Sequence, residues 1–235
     1  MTIRGVAHRG DPVHFPENTL SAFESAVNHS YSHLELDVQL SRDGVPVICH
    51  DLSVDRTTDG SGRIKDLTLA ELKKLRIGQE ELPTLEEALT LLKDRIIVNI
   101  ELKQLGRYYP GLEEASLEVV RKLGMEEQVF FTSFDHYSVL RMRELHSEVG
   151  LGWINHGASP AFFPLMKERN LRYLAVGYRY LTPEFIRECE QNEIQLIAWT
   201  VDDEEHMRMI SRYPSLLVCT NELSRWAEVS GHPVP

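Results

Sequence analysis

The chain has 235 residues, 42% of them hydrophobic and 26% charged, and carries a formal net charge of −11. That composition supports a sizeable folded core and excludes a disordered chain. The negative balance, with no basic run to offset it, excludes nucleic acid and anionic membranes as partners of the general surface.

Short apolar runs alternate with amphipathic stretches along the chain. A first strand is expected over Ile3 to Ala7, then a helix over Thr19 to Ser30, a strand over Leu34 to Gln39 and a short one over Pro46 to Ile48. The run from Asp51 to Pro83 breaks the alternation with the turn-rich Arg56-Thr57-Thr58-Asp59-Gly60-Ser61-Gly62 and one helix, Leu69 to Arg76. Beyond it follow a helix over Thr84 to Leu92, a strand over Ile96 to Glu101 and a helix over Leu112 to Leu123. The remaining strands are expected over Val129 to Ser133, Leu151 to Ile154, Tyr173 to Gly177, Leu196 to Thr200 and Leu216 to Thr220. Helices over Asp135 to His146, Pro160 to Arg169, Pro183 to Asn192 and Glu204 to Tyr213 separate them. Thr84 with Glu87 fits a capping box, and Pro183 sits where a first-turn proline is favoured.

Strand–helix repetition of this length predicts an α/β fold, a parallel sheet closed into a TIM-type (β/α)8 barrel. The expected organisation is one domain over residues 1–235, with a small insertion at about 51–83 near the barrel mouth. Cys49, Cys189 and Cys219 have no paired spacing, which points away from a disulfide framework and toward a reducing, cytoplasmic compartment. No apolar run is long enough to span a bilayer, Met1 to Gly5 lead into a strand rather than a signal core, and no pattern specifies an oligomeric state.

The unusual polar residues fall at the carboxyl ends of the expected strands, where barrel active sites lie. His8 and Arg9 end the first, Glu35 and Asp37 the second, His50 the short extra one, and Glu101 and Lys103 the next. Ser133, Trp199 and Thr220 close later strands at the same rim. Side chains two residues apart share a strand face, so Glu35 projects with Asp37, and Glu101 with Lys103. An ionised carboxylate at an apolar strand end costs several kcal/mol unless paired or bound to metal. Three of them, without cysteine or an interleaved histidine pair, suit one hard divalent cation such as Mg²⁺ or Ca²⁺ better than zinc.

Arg9 and Lys103 are the counterpart cations, a bidentate guanidinium and a point charge suited to a phosphodiester. His8 and His50 are candidate general acid and base, since cleaving a phosphodiester removes one proton and delivers another. The other histidines, His14, His29, His33, His136, His146, His156, His206 and His232, are expected at the surface or in packing. Cys49 alternates onto the strand face opposite His50 and reads as a small buried residue. Trp199, with Phe15 and the pair Tyr108-Tyr109, is either an apolar wall for a small alcohol or core packing.

Several segments in order resemble the glycerophosphodiester phosphodiesterase family. They are His8-Arg9-Gly10, Pro16-Glu17-Asn18-Thr19 with Ala22-Phe23, Glu35-Leu36-Asp37-Val38, Asp43-Gly44, Val47 to Asp51, Arg56-Thr57-Thr58, Leu82 to Glu87, Glu101-Leu102-Lys103 and Trp199-Thr200-Val201. The resemblance implies a barrel of the phosphatidylinositol phospholipase C type that hydrolyses glycerophosphodiesters to sn-glycerol 3-phosphate and an alcohol. It implies Glu35, Asp37 and Glu101 as metal ligands, His8 and His50 as the acid–base pair, and Arg9 and Lys103 as phosphate contacts. Glu17 and Asn18 fit the family's loop beside the metal, although Asn18 or Thr19 is also a sound helix N-cap. The chain departs from the family at Thr220-Asn221-Glu222-Leu223, where an acid usually follows the threonine, and at His33, Ser41 and Arg42. The alternatives are a lysophospholipase D-like phosphodiesterase and a non-catalytic phosphodiester-binding barrel.

Overall fold

The computed structural model describes residues 2–232, so the ends of the expected 1–235 domain lie outside the described residues. Eight parallel strands close on themselves: β1 (Ile3–His8), β2 (Tyr31–Leu40), β6 (Ile97–Leu102), β7 (Val129–Ser133), β8 (Gly150–Asn155), β9 (Tyr173–Gly177), β10 (Gln195–Trp199) and β11 (Leu217–Thr220), with β11 pairing back to β1. The TIM-type barrel expected from the alternation is therefore the fold. β3 (Pro46–Ile48) runs antiparallel against the carboxyl half of β2, and a hairpin of β4 (Arg76–Ile77) and β5 (Glu80–Glu81) lies beyond it.

Helices pack outside, and alternation along each strand splits the core in two. Leu34, Leu36 and Val38 of β2 and Val98, Ile100 and Leu102 of β6 face outward against α1 (Leu20–Asn28), α3 (Leu85–Leu92) and α4 (Leu112–Leu123). The opposite faces fill the barrel with Val6, Phe130, Ile154, Ala175, Ile197, Leu217 and Cys219. Phe130 stacks on Tyr173 with ring centroids 3.8 Å apart, and His33 meets Phe130 edge-on. A side chain on Gly152 would lie 2.4 Å from the carbonyl oxygen of Tyr173, so glycine lets β8 and β9 approach there.

Between β3 and α3 the chain builds a small core of its own from Val47, Cys49, Val54, Ile64, Leu72, Ile77 and Leu82. Its helix α2 (Leu69–Leu72) is shorter than the expected Leu69 to Arg76, because the chain turns at Gly78, with φ of 63°, to form the β4–β5 hairpin. Beyond α5 (His136–Leu145), α6 (Phe162–Glu168), α7 (Pro183–Gln191) and α8 (Glu204–Ile210), a further helix, α9 (Leu223–Val229), was not expected from the sequence. It turns Leu223, Trp226 and Ala227 inward and closes the outer layer beside β1. Among the described residues, no helix is long and apolar enough to cross a membrane.

Candidate active site

Strand register brings the acidic cluster together. Asp37 lies opposite Glu101 across β2–β6, while Glu35 lies opposite His8 across β1–β2. One oxygen from each of Glu35, Asp37 and Glu101 falls within 4.8 Å of the others, and all three residues are buried. Burial and mutual repulsion raise Glu35 well above the usual carboxylate range and Glu101 to about 7, whereas Lys103 and Arg9 hold Asp37 below it against the push of burial.

Among the described residues, Oε1 of Glu35 is buried without a hydrogen-bond partner, and Oδ1 of Asp37 makes no hydrogen bond and faces only the ammonium of Lys103. Unpaired oxygens of this kind are costly, and a hard cation accepting them would relieve both desolvation and repulsion. The donor set is all oxygen, which fits Mg²⁺ or Ca²⁺. Lys103 lies 2.7 Å from Oε1 of Glu101 and 3.4 Å from Oδ1 of Asp37, and Nε of Arg9 lies 3.3 Å from Oδ2 of Asp37.

The turn after β1 shapes this corner. Arg9 adopts φ of 58°, its backbone N–H donating to Oε2 of Glu35 at 3.1 Å. Gly10, with φ of 85°, allows the turn to pass α1, since a Cβ there would sit 2.6 Å from the backbone of Ala22. Asn18 holds Asp37 by donating from Nδ2 at 2.8 Å, while Thr19 caps α1 by accepting from the N–H of Ala22. Thr19 is thus the cap, and Asn18 supports a member of the acidic cluster.

His50 follows β3, with Nδ1 2.7 Å from Oδ1 of Asp51. Arg56 grips Asp51 through Nε at 2.6 Å and Glu17 through Nη2 at 2.7 Å, and Glu17 accepts from Nη1 of Arg9 at 3.0 Å. The segment after β3 is therefore tied to both His50 and Arg9. His8 places Nε2 3.9 Å from Oε2 of Glu35, and burial followed by the charge of Arg9 lowers its pKa to about 4, so the ring is neutral near neutral pH.

A cavity of about 270 Å³ includes His8, Arg9, Glu35, His50, Glu101 and Lys103 on one side and Phe134, Ile154, Ala175, Ile197 and Trp199 on the other. An adjoining hollow shares His50, Lys103, Phe134 and His156 and runs out past Leu52 and Leu105. Trp199 thus belongs to the wall. Its expected companions do not. Tyr109 is buried under Tyr108, and neither these two nor Phe15 lines either hollow; Phe134 and His156 stand against Trp199 instead, each with ring centroids 5.5 Å away.

His156, expected at the surface or in packing, is therefore a lining residue. Phe134 and His156 each come directly after a strand, so the carboxyl-end rule could have found both. Cys49 is buried as expected, and all three cysteines are free.

The glycerophosphoryl diester phosphodiesterase family model matches residues 8–224. A glycerophosphodiester phosphodiesterase of Caldanaerobacter subterraneus subsp. tengcongensis is 40% identical over 217 residues, covering 87% of this chain and 88% of the relative. One from Bacillus subtilis is 31% identical over 242 residues, covering 92% and 82% respectively. Among solved structures, an Oleispira antarctica phosphodiesterase in complex with the product sn-glycerol-3-phosphate superposes with a TM-score of 0.88 at 28% identity, covering 96% of each chain. The barrel, the acidic cluster at its mouth and these matches agree, and the chain belongs to the glycerophosphoryl diester phosphodiesterase family as an enzyme of that class.

Proposed function

We propose that the chain hydrolyses glycerophosphodiesters to sn-glycerol 3-phosphate and an alcohol, using one divalent cation, Mg²⁺ or Ca²⁺, held by Glu35, Asp37 and Glu101. The observation that carries this reading is the buried trio of carboxylates, with Oε1 of Glu35 left unpaired among the described residues, set between Arg9 and Lys103 and flanked by two histidines. The chemistry a bound cation supplies there is neutralisation of phosphate charge and a lowered pKa for a hydroxyl in contact with it.

Arg9 and Lys103 bind the phosphate oxygens and counter the charge that grows in the transition state. His8, neutral and facing the site through Nε2, accepts the proton of the attacking hydroxyl, whether that of water or of the glycerol itself. His50, held by the carboxylate of Asp51 and lining the adjoining hollow, donates a proton to the leaving oxygen. The walled cavity beside Trp199 takes the glycerol, and the hollow past Leu52 and Leu105, which His50 also lines, takes the leaving alcohol. Free buried cysteines accord with a reducing, cytoplasmic setting.

The test is release of glycerol 3-phosphate from a panel of glycerophosphodiesters that differ in the alcohol. Turnover of the panel is expected. Preference for lysophospholipids would favour a lysophospholipase D-like activity, and binding without turnover would favour a phosphodiester-binding barrel.

A further inference from the structure

Behind His8, on the side away from the carboxylates, two polar residues have no part in the chemistry above. Asn221, where an acid is usual, follows β11 and sets Oδ1 2.8 Å from Nδ1 of His8. Its Nδ2 donates to Oδ2 of Asp202 at 2.8 Å. Asp202, in the loop after β10, is fixed in turn: its Oδ1 accepts the backbone N–H of Asn221 at 2.8 Å and the hydroxyl of Thr220 at 3.0 Å.

The orientation of an amide follows from its hydrogen-bond network. Here the carboxylate decides it. An ionised carboxylate only accepts, so the amide must offer Asp202 its NH₂ and turn its carbonyl toward His8. A carbonyl facing Nδ1 requires the proton to sit on Nδ1, which leaves the lone pair of the neutral ring on Nε2. With the amide reversed, its NH₂ would donate to Nδ1, the ring proton would move to Nε2, and the proton acceptor facing the site would be lost.

We propose that Asp202 is a positioning residue which, through Asn221, holds His8 as the tautomer protonated on Nδ1 and keeps Nε2 as the acceptor of the reaction. This inference rests on the reading of His8 as general base.

The network makes the consequences of exchange specific. In Asp202→Asn, the position that accepts from Asn221 N–H and from Thr220 must remain the oxygen, so the new NH₂ faces Asn221 and turns its amide around. The His8 proton then shifts to Nε2. Adding Asn221→Asp restores an acceptor beside Nδ1, held by the new amide at position 202.

The experiment reads the nitrogen-15 shifts of the His8 imidazole, together with kcat and KM, in the cation-loaded enzyme. Wild type and the double exchange are expected to show the proton on Nδ1. Asp202→Asn is expected to show it on Nε2, with kcat lower by about 10² to 10⁴, the contribution of a general base, and KM little changed. The double exchange is expected to recover most of that loss.

An unchanged His8 tautomer in Asp202→Asn would overturn the proposal, as would a double exchange that keeps the single variant's loss. Should Asp202→Asn not fold, Asp202→Ala carries the comparison: with no carboxylate to accept from its NH₂, the Asn221 amide is free to turn and the Nε2 tautomer is expected to appear, and a His8 proton held wholly on Nδ1 would overturn the proposal. Full turnover in His8→Ala would instead remove the base role of His8, leaving the tautomer to be judged by its nitrogen shifts.

Discussion

His50 and Trp199 occupy the two ends of the residue-scale chemistry, one moving a proton and the other shaping space. Among the described residues His50 has a single side-chain partner, Asp51, and it lines both hollows, so its loss should remove proton donation and little else. His50→Ala is expected to lower kcat by about 10² to 10⁴ in a steady-state assay with folding retained, and near-normal turnover would take it out of the mechanism. Trp199 lies against Phe134 and His156 and is only partly buried. Trp199→Ala is expected to raise KM for the glycerol-bearing substrate at preserved melting temperature; an unchanged KM would assign it to packing.

At this scale the acidic cluster was legible in the sequence, because period two and an apolar background make Glu35, Asp37 and Glu101 conspicuous. The partners of His8 were not. Asn221 and Asp202 meet only because β10 and β11 are neighbours whose following loops fold over the first strand, and no local pattern encodes that encounter.

Among the elements, α3 shows how local signals fix a boundary that the site depends on. Thr84 accepts from the N–H of Glu87 and Glu87 returns the bond to the N–H of Thr84, so both ends of the capping box are made. The box anchors the point where the chain returns from the 51–83 segment to the barrel, and Val47 of β3 bridges to the same threonine. Thr84→Ala is expected to destabilise the fold by about 1 kcal/mol in a denaturant titration with kcat unchanged; no measurable loss would mean the box is dispensable.

Every strand and helix with a full apolar stripe was readable from the sequence. The elements that were not lack a local signal of their own. The β4–β5 hairpin has two residues per strand, too few for periodicity to stand out, and α9 opens without a side-chain cap or first-turn proline to mark its start.

Across the whole molecule, closing the barrel gathers three carboxylates whose charges oppose one another in the metal-free protein. Glu101, raised to about 7, binds more protons when folded than when unfolded, so its share of metal-free stability is lost as pH rises through that value. The partly buried ring of His8 and the buried ring of His33, lowered to about 4, act in the opposite sense, their share being lost as pH falls from 6.5 through 4. The difference made by a cation isolates the carboxylates, because binding must displace the proton on Glu101. The rise in melting temperature on adding Mg²⁺ or Ca²⁺ is therefore expected to grow as pH increases through about 7, with Glu35, also raised, acting in the same direction. An increment equal at every pH would contradict a site built on these acids.

The most direct test of the account is glycerol 3-phosphate release from a glycerophosphodiester before chelation, after rigorous removal of divalent cations, and after adding back Mg²⁺ or Ca²⁺. Activity should disappear with the cation, return when it is restored, and fail to return in Glu101→Gln. Hydrolysis that continues undiminished in the stripped enzyme would contradict the account.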